Sequence, residues 1–123
     1  MGWRVGWSRD KYTGWKSHTV TASEASNGYV YIKDTFSRRP RLIKIKWMRV
    51  INTSVDGYKC RLAMGFLIGN ETFSLLENIQ KMGTRGTFRG EYPITCDGLY
   101  WYVKGVSQGD VIKYGAIYQE WER

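Results

Sequence analysis

Few residues of this chain are of types that do covalent or proton-transfer chemistry, and their spacing gives them little to work with. The single histidine, His18, stands between Ser17 and Thr19 in a segment that reads as a strand. No serine or cysteine has a nucleophile motif around it, so His18 reads as a structural or surface side chain. The carboxylates are scattered, with no pair spaced for glycoside hydrolysis. There is no phosphate loop and no H-x-E or D-x-D metal pattern. Cys60 and Cys96 lie far apart without a C-x-x-C pairing, and with one histidine they cannot make a standard structural zinc site. They read as reduced, buried thiols acting as small hydrophobes, with a disulfide left open if two strands bring them face to face. The sequence assigns no catalytic residue, no metal and no cofactor, and points to a protein that is not an enzyme and works by binding.

The binding chemistry is concentrated in three places. The densest is Arg38-Arg39-Pro40-Arg41-Leu42-Ile43-Lys44-Ile45-Lys46-Trp47-Met48-Arg49, six cations in twelve residues, with no acid from Thr35 through Val55. On a strand, Lys44 and Lys46 lie opposite Ile43 and Ile45. Such an edge can track a phosphate backbone, meet an acidic neighbour in an assembly, or simply keep sheets from pairing. The second place is the first 15 residues, where Gly2-Trp3, Gly6-Trp7 and Gly14-Trp15 alternate with Arg4, Arg9 and Lys11. Glycine makes this stretch costly to order alone, and exposed tryptophan is unfavourable in water. Together they predict an arm ordered by docking on another subunit, on this domain's own surface, or on nucleic acid. The third is aromatic: Tyr100, Trp101 and Tyr102, then Tyr114, Tyr118 and Trp121. Tyr100 and Tyr102 face one side of a strand and Trp101 the other; such rings fill a sandwich core or stack on sugars and bases. The candidate interaction residues are Trp3, Trp7, Trp15, Arg38, Arg39, Arg41, Lys44, Lys46, Arg49 and Trp101.

The elements that must position these groups are strands. Tyr58 to Ile68 alternates apolar residues at period two, which predicts one buried face, and Gly69-Asn70 predicts a type II′ hairpin into Glu71–Leu75. Lys16–Ala22 reads as a first strand, and Tyr29–Lys33 follows the turn signal Asn27-Gly28. Arg41–Ile51 changes phase, since Ile43, Ile45 and Trp47 share one face while Met48 and Val50 lie on the other. A β-bulge near Trp47-Met48 would return Met48 and Val50 to the core. Cys96-Asp97-Gly98-Leu99 predicts a hairpin, with Leu99–Val106 and Val111–Trp121 as the closing strands. The spacing Ser74-Leu75-Leu76-Glu77 resembles a capping box and predicts a short helix over Leu75–Met82, ending before Gly83.

Length and composition bound the rest. A chain of 123 residues, 42% hydrophobic and 15% aromatic, fits one domain with a real core. The expected plan is an extended arm over 1–15 and one domain over 16–123. The expected fold is all-β, an antiparallel β-sandwich, jelly-roll-like, of seven or eight strands with one short helix. No apolar run is long enough for a membrane span, no signal peptide is visible, and no membrane partner is expected. Without that signal, synthesis inside the cell is expected, and Asn52-Thr53-Ser54 and Asn70-Glu71-Thr72 read as chance matches to a glycosylation acceptor. The net charge of +8 arises entirely in residues 1–50, where eleven basic residues stand against three acids; residues 51–123 carry eight of each. That asymmetry predicts a polyanion or an acidic protein surface as a partner.

The basic, Gly- and Trp-bearing arm, the compact run of strands and the final strand Gly109–Tyr118 together resemble the small jelly-roll proteins of virus particles, both capsid and head-decoration subunits. The resemblance is architectural and brings no functional residues with it. It implies a structural protein of a virion that self-associates through its N-terminal arm and β-sheet surface, as a homo-oligomer or against neighbouring structural subunits; the basic charge adds an expectation of weak nucleic-acid contact. The other readings of the same residues are a nucleic-acid-binding β-barrel using the basic strand and a carbohydrate-binding sandwich.

Overall fold

The computed structural model describes residues 6–53, 61–77 and 85–122. Among them are ten strands and one helix: β1 (Gly6–Trp7), β2 (Lys11–Tyr12), β3 (Lys16–Thr19), α1 (Ala22–Asn27), β4 (Tyr29–Thr35), β5 (Arg41–Asn52), β6 (Arg61–Ile68), β7 (Glu71–Glu77), β8 (Arg85–Cys96), β9 (Gly98–Lys104) and β10 (Val111–Glu122). Trp3, Cys60, the segment 58–60 and the part of the expected helix beyond Glu77 lie outside the described residues.

The strands form two antiparallel sheets that pack as a sandwich. One has the order β10-β5-β8 with β1, β2 and β3 all paired to the far side of β10; the other has the order β4-β9-β6-β7. The pairings β3 with β10, β4 with β9, β5 with β8, and β6 with β7 nest like a long hairpin. Rolling it adds the contacts β10 with β5 and β9 with β6. This strand order is that of an eight-stranded jelly roll, to which the two-residue strands β1 and β2 are added.

The core lies between the sheets. From one come Ile43, Ile45, Met48, Val50, Ile112 and Ala116, and from the other Leu62, Met64, Leu99, Trp101 and Val103, all essentially inaccessible to solvent. The phase change in β5 is resolved by the expected bulge, which falls at Lys46. Ile45 and Trp47 pair with adjacent residues of β10, Tyr118 and Ile117, leaving Lys46 as the extra residue. Toward β8 the same two residues pair with Tyr92 and Arg89. Ile43 and Ile45 on one side of the bulge and Met48 and Val50 on the other therefore all face inward, while Trp47 turns outward.

β6 departs from the expectation of one buried face. Leu62, Met64 and Phe66 enter the core, but Ala63 and Leu67 are also buried, beneath Tyr100 and Tyr102 on the outside of the sheet. Two further expectations are corrected. Leu75–Glu77 is not helical: it continues β7, with Leu76 paired to Met64 across a register shift that skips Leu75. Leu75 and Leu76 both pack against the core, and burial of two adjacent apolar side chains at a bulge outweighs a four-residue capping pattern. The helix forms instead at Ala22–Asn27; the expected first strand over Lys16–Ala22 is present as β3, Lys16–Thr19, and ends before it. There Thr21 accepts the Glu24 amide at 3.2 Å, the Glu24 carboxylate accepts the Thr21 amide at 2.9 Å, and Gly28 closes the helix at φ 85°, a conformation that favours glycine. The Asn27-Gly28 signal is thus a helix stop before β4.

His18 sits in β3 with its Nε2 2.8 Å from the Glu24 carboxylate, tying β3 to the helix. Cys96 is a free, buried thiol whose pKa desolvation pushes up to about 11.

Two outcomes follow from this packing. Met64→Asp places an unpaired charge at a fully buried site and is expected to destabilise by about 4 kcal/mol or more. Lys16→Ala, at an exposed position, should stay within about 0.5 kcal/mol. Urea unfolding of the two variants against the parent measures both, and equal midpoints would contradict the assigned faces. In a Cys60→Ser background, Cys96 is expected to react with a thiol reagent only on unfolding. Rapid labelling of the folded protein at neutral pH would show that Cys96 is not enclosed.

Candidate interaction surface

The N-terminal segment decides what one outer face of the sandwich looks like. Running antiparallel to β10, it pairs Trp7 with Trp121, Lys11 with Tyr118, Tyr12 with Ile117, and Lys16–Thr19 with Val111–Tyr114. Where it leaves the ladder, side-chain hydroxyls take over as acceptors. Ser8 Oγ accepts the Glu120 amide at 2.9 Å and Thr13 Oγ1 accepts the Ala116 amide at 2.9 Å. The Ser8 and Thr13 amides in turn donate to the Glu120 and Ala116 carbonyls. The edge of β10 is thereby covered along its length. Of the three docking sites open to the arm, residues 6–15 occupy this domain's own sheet.

The second contact is over the sheet face. Gly115 leaves a gap in the outward row of β10, and a Cβ there would stand 2.8 Å from the Gly14 carbonyl oxygen and 3.2 Å from the Trp15 ring. Trp15 lies in that gap. Arg49, paired with Gly115 in register, reaches over the Trp15 ring at 5.9 Å, and Trp47 lies 6.2 Å away. At the far end of β10, Trp7 and Trp121 meet edge to face at 5.3 Å, with the Lys44 ammonium 4.5 Å above the Trp7 ring. Tyr12, Trp15 and Trp121 remain 57%, 41% and 40% exposed. The result is one continuous surface of five aromatic rings with cations seated on two of them.

The basic strip of β5 divides into neutralised and uncompensated charges. Arg41 and Lys11 both pair with Glu120, Lys11 at 3.0 Å, and Arg41 Nε donates to the Arg38 carbonyl at 2.7 Å. Burial alone would raise the Glu120 carboxyl, but the hydrogen bonds and charges of Lys11 and Arg41 hold it below the ordinary range. Lys46 stands 3.7 Å from Asp10. Lys44 and Arg49 have no carboxylate partner among the described residues, and Arg49 Nε is buried without an acceptor.

Of the candidate residues, the fold brings Trp7, Trp15, Lys44, Lys46 and Arg49 onto this face. Arg38, Arg39 and Arg41 stay at the end of the sandwich. There Arg38 and Arg41 line an open depression of about 400 Å³ with Lys11, Leu42, Glu120 and Trp121, while Arg39 borders a second one beside Gly69, Asn70 and Asp97. Trp101 is not brought to any surface. It is wholly buried, with its ring 4.9 Å from Tyr114. Sequence reasoning missed Tyr12 and Trp47. Alternation alone puts Trp47 on the face of Ile43 and Ile45, and only the bulge at Lys46 turns it outward.

The outer face of the other sheet is different in kind. Tyr31 stacks on Tyr100 at 5.7 Å and contacts Tyr102 at 5.2 Å, while Tyr29 lies 5.8 Å from Tyr102. The Tyr31 hydroxyl donates to Thr72 Oγ1 at 3.0 Å, and Ser74 Oγ meets the Tyr100 hydroxyl. Tyr31, Tyr100, Tyr102, Thr72, Ser74 and Ala63 border a shallow depression of about 270 Å³. Burial, and after it the neighbouring Tyr31 and Tyr29, raises the Tyr102 phenol, so it stays neutral at physiological pH.

No protein-family model matches the chain, and comparison with curated proteins and with solved structures finds no match either.

Gly115→Leu is expected to unseat the arm while the core persists. Tryptophan emission should shift to the red, and trypsin should cut faster near Lys11 and Lys16. Unchanged emission and cutting would mean that Trp15 does not depend on this gap. Acid should also loosen the arm. Because the folded-state pKa of Glu120 is depressed, its contribution is complete above the ordinary value of 4.5 and is lost as pH falls through the lower folded value. Glu120→Gln, lacking the ionised latch, should lose less stability than the parent over that acid range.

Proposed function

We propose that this chain is a non-enzymatic structural subunit, of the kind that builds or decorates a virion, and that it associates with copies of itself or with neighbouring subunits. The observation that carries this reading is the tyrosine-rich outer face of the β4-β9-β6-β7 sheet. Tyr29 and Tyr31 stay 42% and 39% exposed although their rings are fixed by stacking and by a hydrogen bond. Rigid, half-exposed aromatic rings give contact area at small entropic cost and are enriched in protein interfaces. Clustered exposure of this kind marks interaction sites more often than idle surface.

The jelly-roll strand order supports the reading as analogy only, since the same fold serves capsid proteins, lectins and cupins. The arm adds a further support. With residues 6–15 covering β10, association by addition to that edge is blocked, which leaves the sheet faces as the surfaces through which subunits meet.

Sedimentation velocity over a concentration series tests the proposal. The parent is expected to form species larger than the 14.3 kDa monomer. The double variant Tyr29→Ser/Tyr31→Ser should shift toward monomer without losing its folded circular-dichroism spectrum. A parent that stays monomeric at its highest soluble concentration, or a variant that assembles as well as the parent, would overturn it.

A further inference from the structure

Beyond this reading, we infer that the tryptophan face formed by the arm, β5 and β10 binds single-stranded nucleic acid, with Lys44 and Arg49 contacting phosphates and Tyr12, Trp15 and Trp121 offering rings to unstacked bases. The inference does not depend on association through the tyrosine face, which lies on the opposite sheet.

Three observations converge on this occupant. The first is charge. In a chain whose excess of +8 arises in residues 1–50, Glu120 absorbs Arg41 and Lys11, and Asp10 stands beside Lys46. Lys44 and Arg49 are left in the middle of the face without carboxylates among the described residues. A polyanion completes what the protein leaves uncompensated.

The second is the placing of the rings. Lys44 lies over Trp7 and Arg49 over Trp15, so cationic and aromatic groups alternate at side-chain spacing and do not form separate patches. Positive charge interleaved with ring faces is the combination that holds a sugar-phosphate chain and stacks its bases without reading their sequence. A duplex keeps its bases stacked on one another and can use only the cations.

The third is length. Gly115, where Trp15 sits, and Trp121 are six residues apart along β10, which is about 20 Å of strand. That span accommodates an extended strand on the order of 4 nucleotides, the lower end of the site sizes of small single-strand-binding folds. The depression beside Trp121, with exposed Arg38 on its rim, continues the path at one end.

The test uses the full chain and a fluorescein-labelled 20-nucleotide deoxythymidine strand, with a duplex of equal length beside it, titrated at several salt concentrations. The parent should bind the single strand with quenching of tryptophan emission, and should bind it at least 10-fold more tightly than the duplex. Lys44→Gln/Arg49→Gln should weaken that binding at least 10-fold. It should also lower the slope of log affinity against log salt by about 1.4, roughly 0.7 for each lost contact on a single strand. Arg61→Gln/Lys104→Gln removes the same charge from the other sheet and should change affinity less than 2-fold. Trp121→Ser should lower affinity and leave the salt slope unchanged. Should the double variant on the tryptophan face melt early, Lys44→Gln alone must still lower the slope by about 0.7. Equal loss in the two charge-matched variants, duplex binding as tight as single-strand binding, or no binding by the parent would overturn the inference. So would a Lys44→Gln/Arg49→Gln variant that changes only the size of the assembly, since that result assigns the face to an acidic protein neighbour.

Discussion

The extra residue at Lys46 is the constraint on which much of this molecule depends. A twelve-residue strand with strict alternation can bury either Ile43 and Ile45 or Met48 and Val50, but not both pairs. All four are fully buried, and together they supply the central strand's share of the core. Reversing the phase of β5 halfway along reconciles them. The same reversal puts Trp47 and Arg49 on the outside, where Trp15 is then seated between Arg49 and Trp47. Core and surface are thus set by one local irregularity: remove it, and either two core side chains face water or the tryptophan face loses its centre.

The arm illustrates a second dependence. A Gly- and Trp-bearing segment has little to gain from folding alone, yet residues 6–15 are held at three levels. Backbone pairing covers the β10 edge, Ser8 and Thr13 hydroxyls fill the breaks in that pairing, and the gap at Gly115 receives Trp15. None of these contacts is strong. Their sum converts an exposed edge, which would otherwise invite pairing with another chain, into an aromatic surface whose cations are partly spent within the molecule and partly left over.

Much of the fold was legible in the sequence because it rests on period-two patterning and on turn chemistry. Leu62, Met64 and Phe66, the change of phase in β5, and the Cys96–Leu99 hairpin all declared themselves in that way. Errors arose where two local signals competed. Thr21-x-x-Glu24 with Gly28 is a complete helix start and stop, but Asn27-Gly28 serves equally as a turn signal between strands. Ser74-x-x-Glu77 offers a similar spacing, and there Leu75 and Leu76 were claimed by the core instead. Strand order was not legible, since no short-range pattern records that residues near 6 and near 122 will pair. The candidate surface was half legible for the same reason. Lys44, Lys46 and Arg49 could be read from one strand, but their grouping with Trp7, Trp15 and Trp121 depends on contacts between the two ends of the described chain. Trp101, read beside Tyr100 and Tyr102, belongs to the core because alternation sends it to the opposite side of β9.

The pairing of Gly6 with Glu122 also carries a consequence for synthesis. A ribosome makes the arm before its docking strand, so until β10 emerges Trp7 and Trp15 lack the strand they pack on. The nested hairpin sets the order of closure: β6 and β7, joined by Gly69-Asn70, can meet early, whereas β3 and β10 must wait. Contacts of such long sequence separation slow folding, and they leave apolar groups uncovered in the nascent chain. The tryptophan face therefore comes into being only once β10 has arrived, and a chain stopped short of β10 would carry its aromatic arm unprotected.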